Sequence, residues 1–167
     1  MKMEFQAQGY NECCPTTIAM LAGVPKNVIV EEAARFMECK TPTPWHVTRE
    51  KAKRYGEPHG YNALIRHLVK QFLPAVVDIK SFANRIGWSY DAMSNATELS
   101  RLPRNGQGAV TIHFFAGGSH VMPYEGGKVL DPDGPGIPET MSQLRKRLRF
   151  PFRVCRITPI KFKRTQP

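Results

Sequence analysis

Two adjacent cysteines, Cys13 and Cys14, stand where a turn-rich segment gives way to a compact apolar run. Pro15 follows them, and proline suits the first turn of a helix, where its missing N–H would be unpaired anyway. Gly23 and Pro25 then mark the end of this helix. The pattern therefore places Cys13 at the N-terminus of a buried helix. Unpaired N–H groups and the helix dipole favour a thiolate there, which is the reactive form of cysteine.

A cysteine nucleophile needs a base to hold it as a thiolate, and the base needs an orienting partner. His120 opens a predicted strand directly after the small residues Gly117, Gly118 and Ser119, and Asp131 follows it after a hairpin turn. Two antiparallel strands joined by a turn bring their far ends side by side. We therefore expect His120 and Asp131 to be neighbours.

The other four histidines are weaker candidates for the base. His67 lies in a predicted helix, and His46 and His59 lie in predicted loops, where a lone histidine is usually a surface group. His113 lies in the middle of a predicted strand, which is typical of a histidine packed in the core.

The stretch CCPTTIAM, which begins at Cys13, resembles the active-site motif of papain-like cysteine peptidases. It is most similar to the branch that processes bacteriocin leaders and to its stand-alone relatives, in which Gln, a short gap and Cys-Gly-Pro-Thr-Ser-x-Ala-Met open the catalytic helix. The stretch SHVMPYEGGKVLDPDG, which begins at Ser119, resembles the same family. The resemblance implies that His120 is the general base and Asp131 its orienter. Gln8, five residues before Cys13, would then donate to the oxyanion together with the backbone N–H of Cys13.

The motif departs from the family at Cys14, where the family usually has Gly. Neighbouring residues of a helix point in directions about 100° apart, so both sulfurs cannot face one cleft. We expect Cys14 to point away and pack as a small apolar side chain. The alternative is that Cys14 is the nucleophile, with Gln8 six residues before it, a spacing that papain-like enzymes also use.

Helical patterns precede strand patterns along the chain, which predicts an α+β fold. Beyond the Cys13 helix, helices are predicted over 28–38, 48–54, 62–72 and 138–148, and strands over 75–79, 109–115, 119–124, 128–130 and 152–157. The segment 81–102 is ambiguous and is predicted to be helical in part. The resemblance implies a papain-like arrangement, in which the nucleophile helix packs on a C-terminal antiparallel sheet.

The 167 residues, of which 41% are hydrophobic and 10% aromatic, predict a single globular domain over 1–167. No apolar run approaches the roughly 18 residues that span a bilayer, and residues 1–6 lack the apolar core of a signal peptide. We therefore expect a cytoplasmic protein without membrane contact. Cys39 and Cys155 are interpreted as small buried side chains rather than parts of a disulfide or zinc site.

The net charge of +10 is concentrated in the segment 144–167, which holds nine Lys and Arg residues and no acid. A basic surface of this kind attracts an acidic protein or a nucleic acid, or it is only a solvated face. The residues proposed for such a partner are Arg145, Lys146, Arg147 and Arg149. No signature of a nucleic-acid-binding domain accompanies them.

These features predict a cysteine peptidase that cleaves a peptide or isopeptide bond of a protein substrate through a thioester. The resemblance implies no metal or organic cofactor and favours cleavage after small residues such as Gly-Gly. One alternative is an inactive papain-like binding module that uses its basic face. Another is a papain-like amidase or acyl transferase.

Overall fold

The computed structural model describes residues 5–6, 9, 11–55, 60–87, 102–115, 118–148 and 152–160, with the backbone alone at 85, 87 and 152–159. Within these ranges, five helices precede the first strand, and a sixth helix lies between the third and fourth strands. The elements are α1 (Cys13–Ala22), α2 (Lys26–Phe36), α3 (Trp45–Arg54), α4 (Tyr61–Phe72), α5 (Ile79–Gly87), β1 (Gln107–Phe114), β2 (Ser119–Glu125), β3 (Lys128–Val129), α6 (Met141–Arg147) and β4 (Phe152–Pro159). The predicted α+β class is confirmed.

Helix α1 has the position that its sequence predicts. It begins at Cys13, carries Pro15 in its first turn and ends at Gly23, whose φ of 67° closes the helix in the left-handed conformation. Every residue from Cys14 to Leu21 is buried, so this helix is surrounded by the protein on all sides.

Helices α2 and α3 each begin earlier than predicted, at Lys26 and Trp45 rather than at 28 and 48. A proline in extended conformation, Pro25 or Pro44, directly precedes each of them. Thr48, with which the predicted helix begins, is fully buried within α3. Helix α4 follows its predicted pattern, with the apolar residues of one face buried.

The strand predicted over 75–79 is wrong. Val76 is buried and makes a single β-bridge, whereas Val77 is 57% exposed, and helix α5 begins at Ile79. Asp78 caps that helix, because its side chain accepts a hydrogen bond from the N–H of Ser81 at 2.8 Å. The cap explains why the chain turns into a helix here despite its β-branched residues.

The four strands form one antiparallel sheet in the order β3-β2-β1-β4. A tight turn at Gly126 and Gly127, both with positive φ, joins β2 to β3. Glu139 extends the outer edge of the sheet through a single bridge with Val129. The chain that leaves β3 therefore returns to lie beside this strand at Glu139.

The two faces of the sheet are covered by different helices. Alternate residues of a strand point to opposite faces. Ala109 and Val121 belong to the larger core cluster with α1 to α5, whereas Val110 and Met122 belong to a second cluster with Met141 and Leu144 of α6. Helix α6 thus packs on the face opposite to α1.

Within the described part of the chain, no single helix has the length and apolar character that a bilayer crossing requires. Helices α1 and α2 pass that test only as a pair that bends by 118°.

Candidate active site

The N-terminus of α1 lies against strand β2. The hydroxyl of Thr17, in the second turn of the helix, donates a buried hydrogen bond of 3.0 Å to the carbonyl of Val121. Val121 directly follows His120, so this bond fixes the start of the helix beside the histidine. The Cys13 thiol and the His120 ring interact, since each shifts the pKa of the other.

His120 is buried between its two partners. Its Nε2 atom lies 2.7 Å from Oδ1 of Asp131, which confirms that these two residues are neighbours. Because Nε2 is engaged by the carboxylate, Nδ1 is the ring nitrogen left to face the thiol of Cys13. The ring thus connects sulfur and carboxylate, as a general base with an orienting partner requires.

Asp131 lies just beyond strand β3 and is 2% exposed. Its Oδ1 also accepts a hydrogen bond of 2.9 Å from the backbone N–H of Asp133. Its Oδ2 accepts a hydrogen bond of 2.5 Å from Nη2 of Arg147, on helix α6. Both carboxylate oxygens are therefore held by donors.

These contacts favour a charged pair of thiolate and imidazolium. Burial raises the pKa of the Cys13 thiol. The hydrogen bond from His120, the positive charge of His120 and the N–H groups of Val121 and Cys14 lower this pKa by more, so the net shift is downward. Burial alone would lower the pKa of His120, but the contacts with Asp131 and Cys13 raise it to about 9. Asp131 is kept ionised, since the contacts with His120 and Arg147 outweigh its burial and lower its pKa to about 2.

Cys14 is in the opposite situation to Cys13. It is 4% exposed, packs in the larger core cluster and contacts the hydroxyl of Tyr61. Burial, with a smaller effect from the neighbouring Cys13, raises the pKa of its thiol far above the usual value. The prediction that Cys14 points away from the cleft is confirmed.

None of the other described histidines combines these contacts. His67 stacks on Phe36 and pairs with Glu32 at 2.7 Å. His113 is buried within β1, and burial lowers its pKa, as the core interpretation predicts. His46 is exposed in the first turn of α3, not in a loop, and His59 lies outside the described residues.

The predicted oxyanion donor Gln8 also lies outside the described residues. The segment around it is anchored at both sides. The side chain of Gln6 bonds to the carbonyl of Val24 at 2.7 Å and to the N–H of Lys26 at 2.6 Å. Glu12, at the start of α1, accepts hydrogen bonds from the N–H of Gly9 at 2.7 Å and from the Nζ of Lys26 at 2.6 Å.

The ion pairs of Arg147 were not predicted from the sequence, which assigns this residue to a basic face. The guanidinium is engaged by two carboxylates, those of Asp131 and Glu139. Lys146 is exposed and Arg145 half-buried, whereas Arg149 lies outside the described residues. Nothing local in the sequence indicates the pairing, since it joins residues 16 positions apart.

Cys13, Cys14 and Cys39 are free thiols, and the side chain of Cys155 is outside the described part. Cys39 is half-buried against the core rather than fully buried. In the described ranges, no three His, Cys, Asp or Glu side chains are grouped so as to hold a metal ion.

The arrangement brings together a thiol of lowered pKa, a histidine that contacts it and a carboxylate that orients the histidine. Such a set can attack a carbonyl carbon with sulfur and deliver a proton to the leaving group. No protein-family model matches this chain, and no curated protein or solved structure is similar enough to it to identify a family.

Proposed function

We propose that this protein is a papain-like cysteine peptidase that uses Cys13 as nucleophile, His120 as general base and Asp131 as orienter. The observation that carries the proposal is the position of His120, which pairs with the Asp131 carboxylate at 2.7 Å and interacts with the thiol of Cys13 at the start of a buried helix. This combination of nucleophile, base and orienter is recognised by geometry rather than by sequence position.

In the proposed reaction, the Cys13 thiolate attacks the carbonyl carbon of the scissile bond. The N–H of Cys13, at the helix start, and Gln8 donate to the oxyanion that forms. The His120 imidazolium gives its proton to the departing amine, and a thioester to Cys13 remains. Water then attacks the thioester carbonyl and gives a proton to His120, which restores the imidazolium. The C–S bond breaks, which releases the carboxylic acid and restores the Cys13 thiolate.

The environment of Cys14 supports an active enzyme. The main sequence argument for an inactive binding module is that Cys14 occupies a position where the family has Gly. Its side chain lies in the core against Tyr61, so it does not compete with Cys13 for the base.

A preference for small residues fits the chain before His120. Gly118 and Ser119 are exposed, and Gly118, with a φ of 90°, accepts a hydrogen bond from the N–H of Phe114. The small residues Gly118 and Ser119, directly before His120, leave room there for an extended substrate. We therefore propose cleavage after residues such as Gly-Gly.

Cleavage of peptides that contain Gly-Gly, followed by mass spectrometry, tests the proposal. Cys13→Ala and His120→Ala should each reduce the rate by about 10³-fold or more. His113→Ala serves as the matched control, because it removes a buried histidine from the adjacent strand. Loss of cleavage in the His113 variant with retention in the His120 variant would show that His113, and not His120, is the base.

The same site supports transfer of the acyl group to an amine instead of water, which is the chemistry of an acyl transferase. Adding a free amine to the cleavage reaction distinguishes the two. A peptidase yields the free acid as the main product, whereas a transferase yields the amide.

A further inference from the structure

We propose that Arg147 is a positioning residue of this site, which acts on His120 through the carboxylate of Asp131. The inference rests on the proposed function, because it concerns how the same histidine is held. It assigns Arg147 to the site rather than to a basic face for acidic partners.

The guanidinium of Arg147 is fixed by a second carboxylate. Its Nε lies 2.9 Å and 3.0 Å from the two carboxylate oxygens of Glu139, and its Nη2 lies 2.7 Å from Oε2 of the same residue. A planar guanidinium held along one edge has little freedom to rotate. The direction in which Nη2 donates to Asp131 is therefore set by Glu139.

Helix α6 itself is well anchored. Thr140 and Gln143 form a capping box at its start, and Met141 and Leu144 are buried against the face of the sheet opposite to α1. Arg147, in the last turn, thus reaches the site from a rigid element. The site is built from both faces of the sheet.

Arg147 also compensates the negative charge of Asp131 when His120 is neutral. The side chain of Asp131 is 1% exposed, and a buried carboxylate without a cation is costly. His120 gives up its proton during the reaction, and Arg147 then remains as the cation beside Asp131. The carboxylate can stay ionised and oriented through the whole cycle.

The loop next to the pair leaves little spare room. A Cβ at Gly134 would lie 3.0 Å from Nη2 of Arg147 and 3.1 Å from both Cβ and the carbonyl oxygen of Asp131. The absence of a side chain at Gly134 lets the loop pack directly on the two partners. Gly134→Ala is therefore a second, independent way to disturb their contact.

Arg147→Met and the control Lys128→Met each remove one positive charge, and Lys128 is exposed on β3. The rate at which iodoacetamide alkylates Cys13 is measured from pH 4 to pH 9. Arg147→Met should lower the rate at pH 6 by about 10- to 100-fold through misplacement of His120.

The Arg147→Met variant should also move the acid limb of the alkylation profile to higher pH, because Asp131 takes up a proton more readily. Arg147→Lys, which keeps the charge without the planar fork, should be intermediate, and Lys128→Met should match the native protein.

If Arg147 only stabilised the fold, alkylation of Cys13 would return to normal whenever stability did. A positioning role predicts that the two are separable. Arg147→Met leaves Glu139 buried without its cation, so the double variant Arg147→Met, Glu139→Gln should regain thermal stability while alkylation stays slow. Gly134→Ala should shift the acid limb in the same direction by a smaller amount. Normal alkylation in the double variant, or equal rates in the Arg147 and Lys128 variants, would overturn the positioning role alone. An unreactive Cys13 in the native protein would overturn the proposed function as well.

Discussion

The Nε2 atom of His120 lies 2.7 Å from Oδ1 of Asp131, because the hairpin of β2 and β3 brings its two ends side by side. The carboxylate contributes orientation, because it holds the ring with Nδ1 toward Cys13. It also contributes charge, which helps to raise the pKa of His120 to about 9. The two contributions can be separated by experiment.

Asp131→Asn should keep much of the orientation and remove the charge. The pKa of His120 should then fall from about 9 toward its usual value, since the negative charge of Asp131 is one of the causes that raise it. The proton that His120 must give to the leaving group is lost at lower pH, so the alkaline limb of kcat/KM for peptide cleavage moves downward.

The control for this change is Glu31→Gln, which removes one carboxylate from an exposed position of α2. Its alkaline limb should coincide with that of the native protein. An unchanged limb in Asp131→Asn would mean that the carboxylate does not act on the charge of His120.

The hydrogen bond from Thr17 to Val121 predicts a stability difference between two adjacent threonines. Thr17→Val removes a buried hydrogen bond and should lower the free energy of unfolding by about 1 to 3 kcal/mol. Thr16 is equally buried, but its hydroxyl has no partner among the residues that the structure describes. Thr16→Val, which replaces an unbonded hydroxyl by a methyl group, should be neutral or stabilising.

Urea unfolding of the two variants measures this difference, and both replace the same side chain in the same helix. Equal losses of stability would show that the bond between α1 and β2 contributes nothing. Only the Thr17 variant should also slow alkylation of Cys13, because it alone loosens the helix from the strand that carries His120.

Most of the candidate site could be predicted from the sequence because its parts are encoded locally. The start of α1 follows from Pro15 and its end from Gly23, and the approach of His120 to Asp131 follows from a short hairpin. The position of Cys14 follows from the turn of a helix alone. None of these features requires knowledge of distant packing.

Other features were set by contacts that periodicity does not reveal. The β-branched pair at Val76 and Val77 favours a strand, but Asp78 caps a helix there. The pairing of Arg147 depends on how α6 packs across the sheet, which brings it to carboxylates 8 and 16 positions away. A run of basic residues conceals such a pairing, since every member has the same charge.

The basic segment 144–167 leads to a prediction about partners that leaves Arg147 out. If the segment binds a nucleic acid, Arg145→Gln combined with Lys146→Gln should weaken binding and flatten the dependence of log K on log salt by about 2, or about one for each phosphate that is no longer neutralised. Lys40→Gln combined with Lys128→Gln removes the same charge from exposed positions elsewhere and is the control. Equal effects of the two pairs on binding to a DNA or RNA oligonucleotide would show that net charge, not this segment, attracts the partner.

The central claim is that Cys13 is an activated nucleophile that depends on His120, and its alkylation by iodoacetamide at pH 6 tests this most directly. An ordinary cysteine, with a pKa near 8.5, is only about 0.3% thiolate at that pH. Peptide mass spectrometry should find the label on Cys13 at a rate at least about tenfold above those of Cys14 and Cys39, and His120→Ala should abolish the difference. Preferential label on Cys14, or a Cys13 rate that is unchanged in His120→Ala, would contradict the account.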